Sequence, residues 1–296
     1  MIKAIARLLP ATLILVLLLG VIDPSRVWIS TASGSEPSSH HKSDLGATLA
    51  PARGTDPSAQ SEIRPSRESV MAGKTYQGRE GRTMPYRLFV PGKYNRRQKY
   101  PLVLYLHGGG GLGRDNLKQI QGGNGFILDL LISSRSQARY PCLVVAPQSD
   151  DQGWVEDDDI TPSDQLRLVL GLIEHLEQTY SLDRARLYVA GQSLGGFGTF
   201  AIMALRPDLF AAAVPICGGG DESKARAMAR VPVWAFHGDQ DESVSVEESR
   251  SMIAALRQAG GKPKYTEYKG EGHIVWPKVV SEPQLLPWLF NQRLAR

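Results

Sequence analysis

Short runs of apolar, β-branched and aromatic residues recur along the chain between residues 86 and 268. Their hydrophobicity is nearly continuous rather than alternating, which predicts strands covered on both faces, as in a parallel sheet. The runs are YRLFV (86–90), LVLYLHG (102–108), LVVAP (143–147), LYVAG (187–191), AAAVPIC (211–217), VWAFHG (233–238) and KYTEY (264–268). This pattern constrains the fold most, because other elements must cover both faces of such a sheet.

Amphipathic helical patterns lie between these runs. The longest begins after a predicted N-cap at Thr161 with Pro162 in the first turn, and its apolar stripe is Leu166, Val169, Leu170, Ile173 and Leu176. Similar patterns predict helices over 194–205, 246–258 and 285–294. The alternation of strands and helices predicts an α/β fold, in which one domain over residues 73–296 holds a mostly parallel sheet between two helix layers. No long insertion between the strands indicates a large cap domain.

The N-terminal residues 1–32 have the pattern of an export signal. Lys3 and Arg7 precede an uncharged apolar run over 8–22, and small residues around Ala32 suit a cleavage site. As a helix the run would span roughly 22 Å, less than the roughly 30 Å of a bilayer core, which favours a signal peptide. We therefore expect export to the periplasm or the medium, with a membrane tether through residues 8–22 as the alternative if cleavage fails.

Residues 33–72 are rich in Ser, Pro, Gly and Ala and poor in large apolar groups, so they are expected to form a disordered linker. The net charge of +4 is modest, and no dense basic run with interleaved aromatics appears. Nucleic acid is therefore not expected as a partner.

The two cysteines, Cys142 and Cys217, are expected to be buried and unpaired. Export would permit a disulfide, but Cys142 opens one apolar run and Cys217 closes another. In a parallel sheet they would lie at opposite ends of their strands, roughly 15 Å apart, which is too far for a disulfide.

The segment LYVAGQSLGGFGTF (187–200) places Ser193 between a predicted strand and a predicted helix. A sharp turn at this position requires small residues two positions before and after the serine, and Gly191 and Gly195 supply them. This is the pattern of a nucleophile elbow, although a glycine-rich turn with an incidental serine has the same local sequence.

Other polar residues follow the strands at several separate strand ends. His107 precedes the glycines 108–111, Asp239 and Asp241 follow the run ending at 238, and His273 follows the last run. Ligand sites of open parallel sheets lie beyond the carboxyl ends of the strands, so these groups are expected near Ser193. Serine, acid and histidine then occur in the chain order expected of α/β-hydrolases, with either aspartate as the acid.

From about residue 75 to the C-terminus, the chain resembles the α/β-hydrolase serine esterases. It is most similar to their secreted phospholipase/carboxylesterase-like and polyhydroxybutyrate-depolymerase-like branch. The segments that carry the resemblance are YLHGGGG with GRDN, VVAPQ, AGQSLGGFGTF, HGDQDESV, YKGEGHIVW and PWLFNQR. In this sequence, Glu242 and Ser243 replace the small apolar and proline residues that usually follow the acid in that family.

The resemblance implies that Ser193 is the nucleophile, Asp241 rather than Asp239 the acid, and His273 the base. It implies an oxyanion hole from the amides of Gly109 and Leu194, and structural roles for the histidines that precede glycine at strand ends, His107 and His237. It implies hydrolysis of a small-molecule or polymeric carboxylic ester without any cofactor.

Alternatives remain at this point. A serine peptidase acting on small peptides uses the same groups, and a non-catalytic surface module could keep the fold. Two tryptophans, Trp154 after one strand and Trp276 beside His273, are expected to wall the substrate site. The acidic stretch over 150–159 is expected to be solvated, and no metal site is expected.

Overall fold

The computed structural model describes residues 66–156 and 158–294, except for the side chain of Glu80. All described residues belong to one compact unit, Ser61–Arg296. The expected export signal over 1–32 and most of the expected linker lie outside the described residues. Among the described residues, no helix combines the length and the apolar character that crossing a bilayer requires.

The described chain forms one eight-stranded sheet with the order β1-β2-β4-β3-β5-β6-β7-β8. β1 and β2 pair antiparallel, β2 pairs antiparallel with β4, and all other neighbours are parallel. The strands are β1 (Ala72–Gln77), β2 (Thr83–Phe89), β3 (Tyr100–Leu106), β4 (Leu143–Pro147), β5 (Leu182–Gln192), β6 (Ala212–Ile216), β7 (Trp234–Gly238) and β8 (Lys264–Tyr268).

Helices and short 3₁₀ turns connect these strands. The helices are α1 (Arg67–Val70), α2 (Phe126–Ile132), α3 (Ser134–Arg139), α4 (Asp164–Thr179), α5 (Leu194–Leu205), α6 (Ala225–Met228), α7 (Val246–Gln258), α8 (Trp276–Val280) and α9 (Leu285–Asn291). The 3₁₀ turns are Arg79–Gly81, Gly109–Gly111, Lys118–Ile120, Gly122–Gly125 and Glu222–Lys224.

Apolar side chains fill both sides of the sheet, which explains the continuous hydrophobicity of the strands. In β3, Leu102, Leu104 and Leu106 point into the core that contains α4, α5 and α7. Val103 and Tyr105 point into the core that contains α2, α8 and α9. The predicted α/β fold with a covered, mostly parallel sheet is confirmed.

Several predicted boundaries are wrong; β5, for example, begins at Leu182 rather than at residue 187. The linker cannot reach residue 72, because Ser66 caps α1 and β1 begins at Ala72.

The predicted N-cap Thr161 lies in a loop before α4, where its Oγ1 donates to Asp158 Oδ2 at 2.6 Å. Ser163 caps the helix instead and accepts from the amide of Gln165 at 3.3 Å. The last helix ends at Asn291 rather than at 294.

Gly195 and Gly191 allow α5 to approach the ends of β3 and β5. A Cβ on Gly195 would collide with the carbonyl groups of Leu106 and His107, and a Cβ on Gly191 would collide with the carbonyl group of Gly195. These neighbours are backbone atoms, which cannot move aside as a flexible side chain can. The glycines therefore fix the height of the helix above the sheet edge.

We expect Gly195→Ala to lower the free energy of unfolding by about 1–3 kcal/mol or more, because the added methyl group overpacks a rigid contact. Urea denaturation followed by circular dichroism measures this change. The matched control is Gly92→Ala, whose added Cβ would meet nothing within 4 Å. Equal unfolding free energies for the two variants would contradict the proposed packing constraint.

Candidate active site

Ser193 occupies a strained turn at the carboxyl end of β5. Its backbone has φ 55° and ψ −121°, outside the ordinary range of a non-glycine residue, which costs on the order of 1–3 kcal/mol. The turn is held on both sides: the Ser193 amide donates to Ile216 O at 2.8 Å, and the Gly196 amide donates to Ser193 O at 2.7 Å. The serine hydroxyl is therefore fixed above the edge of the sheet, at the start of α5.

A chain of hydrogen bonds joins the three side chains predicted to act together. His273 Nε2 lies 2.9 Å from Ser193 Oγ, and His273 Nδ1 lies 2.7 Å from Asp241 Oδ2. A neutral ring that donates from Nδ1 to the carboxylate leaves Nε2 free to accept the serine proton. The structure thus brings together groups from the ends of β5, β7 and β8, as the sequence predicted for these residues.

The carboxylate of Asp241 is fully enclosed, with 0% of its side chain exposed. Its Oδ1 accepts from the amides of Ser243 at 2.9 Å and Val244 at 2.8 Å. Burial by itself would raise the pKa of Asp241, but these amides and His273 outweigh it and hold the pKa below its usual range. The group is therefore ionised at neutral pH. Ser243 thus contributes to this anchoring through its backbone amide.

The other candidate acid, Asp239, does not reach His273. Its Oδ1 accepts from the amide of Gly270 at 2.6 Å, and this bond fastens the loop that carries the histidine. The structure thus distinguishes the two aspartates that the spacing alone left open.

The amides proposed for an oxyanion hole lie at two turns. Gly109 begins the 3₁₀ turn Gly109–Gly111, and Leu194 begins α5. Neither amide has a hydrogen-bond acceptor among the described residues. The side chain of Asn124 holds the preceding glycine, since its Oδ1 accepts from the amide of Gly108 at 2.9 Å.

His107 supports the glycine loop from inside the protein. It is 0% exposed, its Nδ1 lies 2.8 Å from Gly108 O, and its Nε2 accepts from the amide of Ser149 at 3.0 Å. This arrangement requires the neutral ring with its proton on Nδ1. Burial accordingly lowers the pKa of His107 to about 4.

The expectation that Trp154 walls the substrate site is wrong. Trp154 is 0% exposed, its Nε1 donates to His107 O at 2.9 Å, and its ring lies 4.8 Å from that of His107. The sequence placed it correctly after a strand at the active edge but could not show which way its ring turns. Its position is structural, beneath the glycine loop.

Trp276 lies beside His273, as expected, with ring centroids 5.3 Å apart in an edge-to-face arrangement. It is only 7% exposed and packs mainly into the core. Its ring therefore fixes one side of the histidine. A contact of Trp276 with substrate stays a prediction.

Sequence reasoning missed two amide side chains that shape the site. Asn124 holds Gly108, and Gln148 Nε2 donates to Gly111 O at 3.1 Å, so the two amides hold the two ends of the glycine loop. Asn124 lies 16 positions from its partner along the chain and Gln148 lies 37 positions from its partner, and neither has a local sequence signal. The VVAPQ segment contains Gln148, but its pattern gives no reason for the residue.

Both cysteines are buried and unpaired, as predicted. Cys217 lies close to Asp241 and His273, and one ligand atom from each of the three lies within 4.8 Å of the others. Burial, and next the charge of Asp241, raise the pKa of the Cys217 thiol far above its usual range.

The strand order and the turn at Ser193, with an acid and a histidine at the same sheet edge, define the α/β-hydrolase fold. Comparison with known proteins agrees with this class. A family model described as the prolyl oligopeptidase family matches residues 161–228. A solved structure of a thermostable esterase is 37% identical in sequence to this chain and superposes on it with a TM-score of 0.73. The match covers 76% of this chain and 64% of the esterase chain.

Two curated relatives are also esterases or depolymerases by name. The probable feruloyl esterase C of Aspergillus flavus is 26% identical over 134 residues, 45% of this chain and 46% of that protein. The poly(3-hydroxyalkanoate) depolymerase C of Paucimonas lemoignei is 39% identical over 67 residues, 22% of this chain and 16% of that protein. This chain thus spans less than two thirds of the length of each of these proteins. It has the α/β-hydrolase fold and is similar to serine esterases.

The pKa of His107 predicts a pH-dependent stability. An unfolded histidine has a pKa of about 6.5, whereas folded His107 must stay neutral down to about pH 4. The contribution of neutral His107 to the free energy of unfolding is therefore complete above about pH 6.5 and is lost as the pH falls towards 4. The total loss is on the order of 3 kcal/mol. We expect His107→Gln to be less stable than the wild type at pH 7, by a margin that shrinks on acidification.

Urea unfolding at several pH values between 4 and 7 measures this margin. His237 and Asp241 titrate in both proteins, so the comparison isolates His107. The control is His175→Gln, which changes an exposed histidine and should follow the wild type at every pH. A margin for His107→Gln that does not change with pH would refute the assignment of a neutral, buried ring.

Proposed function

We propose that this protein is a serine hydrolase that cleaves carboxylic esters through an acyl-enzyme on Ser193. The observation that carries the proposal is the chain of hydrogen bonds from Ser193 Oγ to His273 Nε2 at 2.9 Å and from His273 Nδ1 to Asp241 Oδ2 at 2.7 Å. These distances lie within the range in which a general base removes a proton from a nucleophile.

In the proposed reaction, Ser193 Oγ bonds to the ester carbonyl carbon while His273 Nε2 takes the serine proton. The carbonyl oxygen becomes an oxyanion, which the free amides of Gly109 and Leu194 receive. His273 then gives its proton to the departing alkoxide, and the alcohol leaves. Water repeats the sequence on the acyl-enzyme and releases the carboxylic acid. Asp241 remains ionised and stabilises the imidazolium in each half-reaction.

Ester hydrolysis is favoured over peptide hydrolysis by the names of the relatives and by the openness of the site. Within residues 66–156 and 158–294, no cap domain is inserted between the strands at the carboxyl edge. A bulky or polymeric ester could therefore approach Ser193 directly. The relatives' names indicate feruloyl and polyhydroxyalkanoate esters as the first polymer substrates to test.

Peptide hydrolysis is the second candidate, because the matching family model is that of prolyl oligopeptidases. The same serine, acid and histidine serve both reactions. A non-catalytic binding module is a third candidate, which the hydrogen-bonded set makes less attractive. We also propose export, with the substrate outside the cytoplasm, because residues 1–32 have the pattern of a signal or anchor.

We expect Ser193→Ala to lose labelling by a fluorophosphonate probe and to lower kcat for p-nitrophenyl acetate by at least about a thousandfold, because the nucleophile is absent. Gel fluorescence and steady-state kinetics measure the two effects. The matched control is Ser243→Ala, which keeps the backbone amide that Asp241 accepts from. Probe labelling that persists in Ser193→Ala would refute the proposed nucleophile.

A panel of p-nitrophenyl esters and the matching p-nitroanilides separates the two enzymatic candidates. An esterase should turn over the esters with a kcat/KM at least about a hundredfold higher than its best anilide or dipeptide substrate. A preference for a peptide substrate would decide for the peptidase. Absence of both labelling and turnover would leave the binding module.

Asn124 is proposed as a positioning residue for the glycine loop. Removing its Oδ1 in Asn124→Ala leaves the amide of Gly108 without its partner and loosens the neighbouring Gly109 amide. We expect kcat for p-nitrophenyl acetate to fall about tenfold with little change in KM, since a weakened oxyanion contact acts mainly in the transition state.

Two further variants isolate this role. Asn124→Asp retains an oxygen acceptor and should recover part of the lost kcat. Asn95→Ala removes a side-chain acceptor for the amide of Arg97 in an exposed loop and should leave kcat unchanged. Equal kcat values for Asn124→Ala and the wild type would exclude the positioning role.

A further inference from the structure

A groove lies at the amino ends of the sheet strands, at the opposite edge of the sheet from Ser193. Its volume is about 660 Å³, and its lining includes Tyr100 and Lys264 at the first positions of β3 and β8, and Trp288 and Phe290 on α9. The active-site residues follow the carboxyl ends of the strands, whereas these residues lie at the amino ends. At about 3.3 Å per residue, the length of β3 separates the two edges by roughly 20 Å.

The charged side chains that line this groove are all positive. Lys99, Arg139, Arg186 and Lys264 line it, and no acidic residue of the described chain does. Arg186 is neutralised by Asp183 at 2.7 Å. The other three cations make no ion pair with a described carboxylate, so their field favours an anionic ligand. Arg139 also presents the planar donors that suit a carboxylate.

Aromatic rings provide flat, pre-ordered surfaces in the same groove. The rings of Tyr140 and Phe290 stack with centroids 4.9 Å apart and planes 8° apart, and the guanidinium of Arg139 lies 5.3 Å from the Tyr140 centroid. Trp288 is fixed edge-to-face against Trp234, with centroids 5.4 Å apart. Rings held in this way lose little conformational freedom when a ligand packs on them.

Amide side chains complete the lining. Gln284 and Asn291 are exposed on or beside α9, and each offers both a donor and an acceptor. This combination matches the hydroxyl groups of a sugar, which also both donate and accept. Cations for carboxylates, flat rings for the apolar face of a sugar and amides for its hydroxyls therefore occur together in one groove.

We propose that this groove is a non-catalytic binding site for an acidic polysaccharide, with uronate carboxylates on Lys99, Arg139 and Lys264. The proposal goes beyond ester hydrolysis and does not depend on it. A lipid surface fits less well, because the groove is concave and the large apolar side chains most exposed in the described chain, Ile160 and Ile274, do not line it. Single-stranded nucleic acid fits less well, because three cations are few for a phosphate backbone.

The test measures binding of polygalacturonate oligosaccharides to the whole chain by isothermal titration calorimetry. The combined variant Lys99→Gln, Arg139→Gln and Lys264→Gln should bind at least about tenfold more weakly than the wild type, and binding by the wild type should weaken as salt rises. The matched control is Arg226→Gln, Arg230→Gln and Arg257→Gln, which removes the same charge from exposed positions outside the groove and should bind within about twofold of the wild type.

Further measurements separate the ligand classes and the two proposals. Polyglutamate has the carboxylates without the sugar, so binding as tight as that of polygalacturonate would overturn the saccharide assignment. Tighter binding of anionic vesicles or single-stranded DNA would overturn it as well, as would equal losses in the two triple variants. Ser193→Ala should bind polygalacturonate normally, and the groove variant should hydrolyse p-nitrophenyl acetate normally. Failure of one proposal therefore leaves the other intact.

Discussion

The whole site depends on the backbone of one residue, Ser193, held at a positive φ between β5 and α5. The strain persists because both sides of the turn are fixed: β6 accepts its amide through Ile216, and α5 lies close to the sheet only because Gly195 lacks a side chain. The same close approach places the first amide of α5, that of Leu194, directly after the serine. The position of the Ser193 hydroxyl and the start of α5 therefore depend on a single packing contact.

A set of buried side chains holds the glycine loop, residues 108–111, in position beside Ser193. The glycine loop has no side chains of its own, so its position is set by Asn124, Gln148 and His107, which bond to its backbone. Trp154 donates to the carbonyl of His107, directly before the loop. Backbone groups that would be unsatisfied inside the protein thus become the means of placing the loop. This arrangement fixes the neighbours of Gly109, whose own amide has no hydrogen-bond acceptor in the part of the chain that the structure describes.

Much of this could be predicted from the sequence, because strand periodicity and chain order limit where polar groups can meet. The carboxyl ends of parallel strands converge, so Ser193, Asp241 and His273 could be placed at one edge without coordinates. The edge strand β1 was missed, since it alternates little and its residues are mostly exposed. The direction of the Trp154 ring and the partners of Asn124 were also missed, because they depend on contacts between distant segments that carry no local pattern.

The protonation state of the neighbouring His237 determines whether the negative charge of Asp241 is neutralised. His237 is 0% exposed, and its Nε2 faces both Asp241 Oδ2 at 3.2 Å and Val244 O at 3.1 Å, so this nitrogen must carry a proton. Its Nδ1 lies 2.7 Å from Ser249 Oγ, which also lies 2.7 Å from Gly218 O. The hydroxyl has one proton, so it satisfies both neighbours only if the ring is an imidazolium. Burial lowers the pKa of His237 and favours the neutral ring, in which the hydroxyl donates to Nδ1 and Gly218 O gives up its partner. A neutral His237 orients Asp241 without neutralising it, so the full carboxylate charge of Asp241 faces His273 Nδ1.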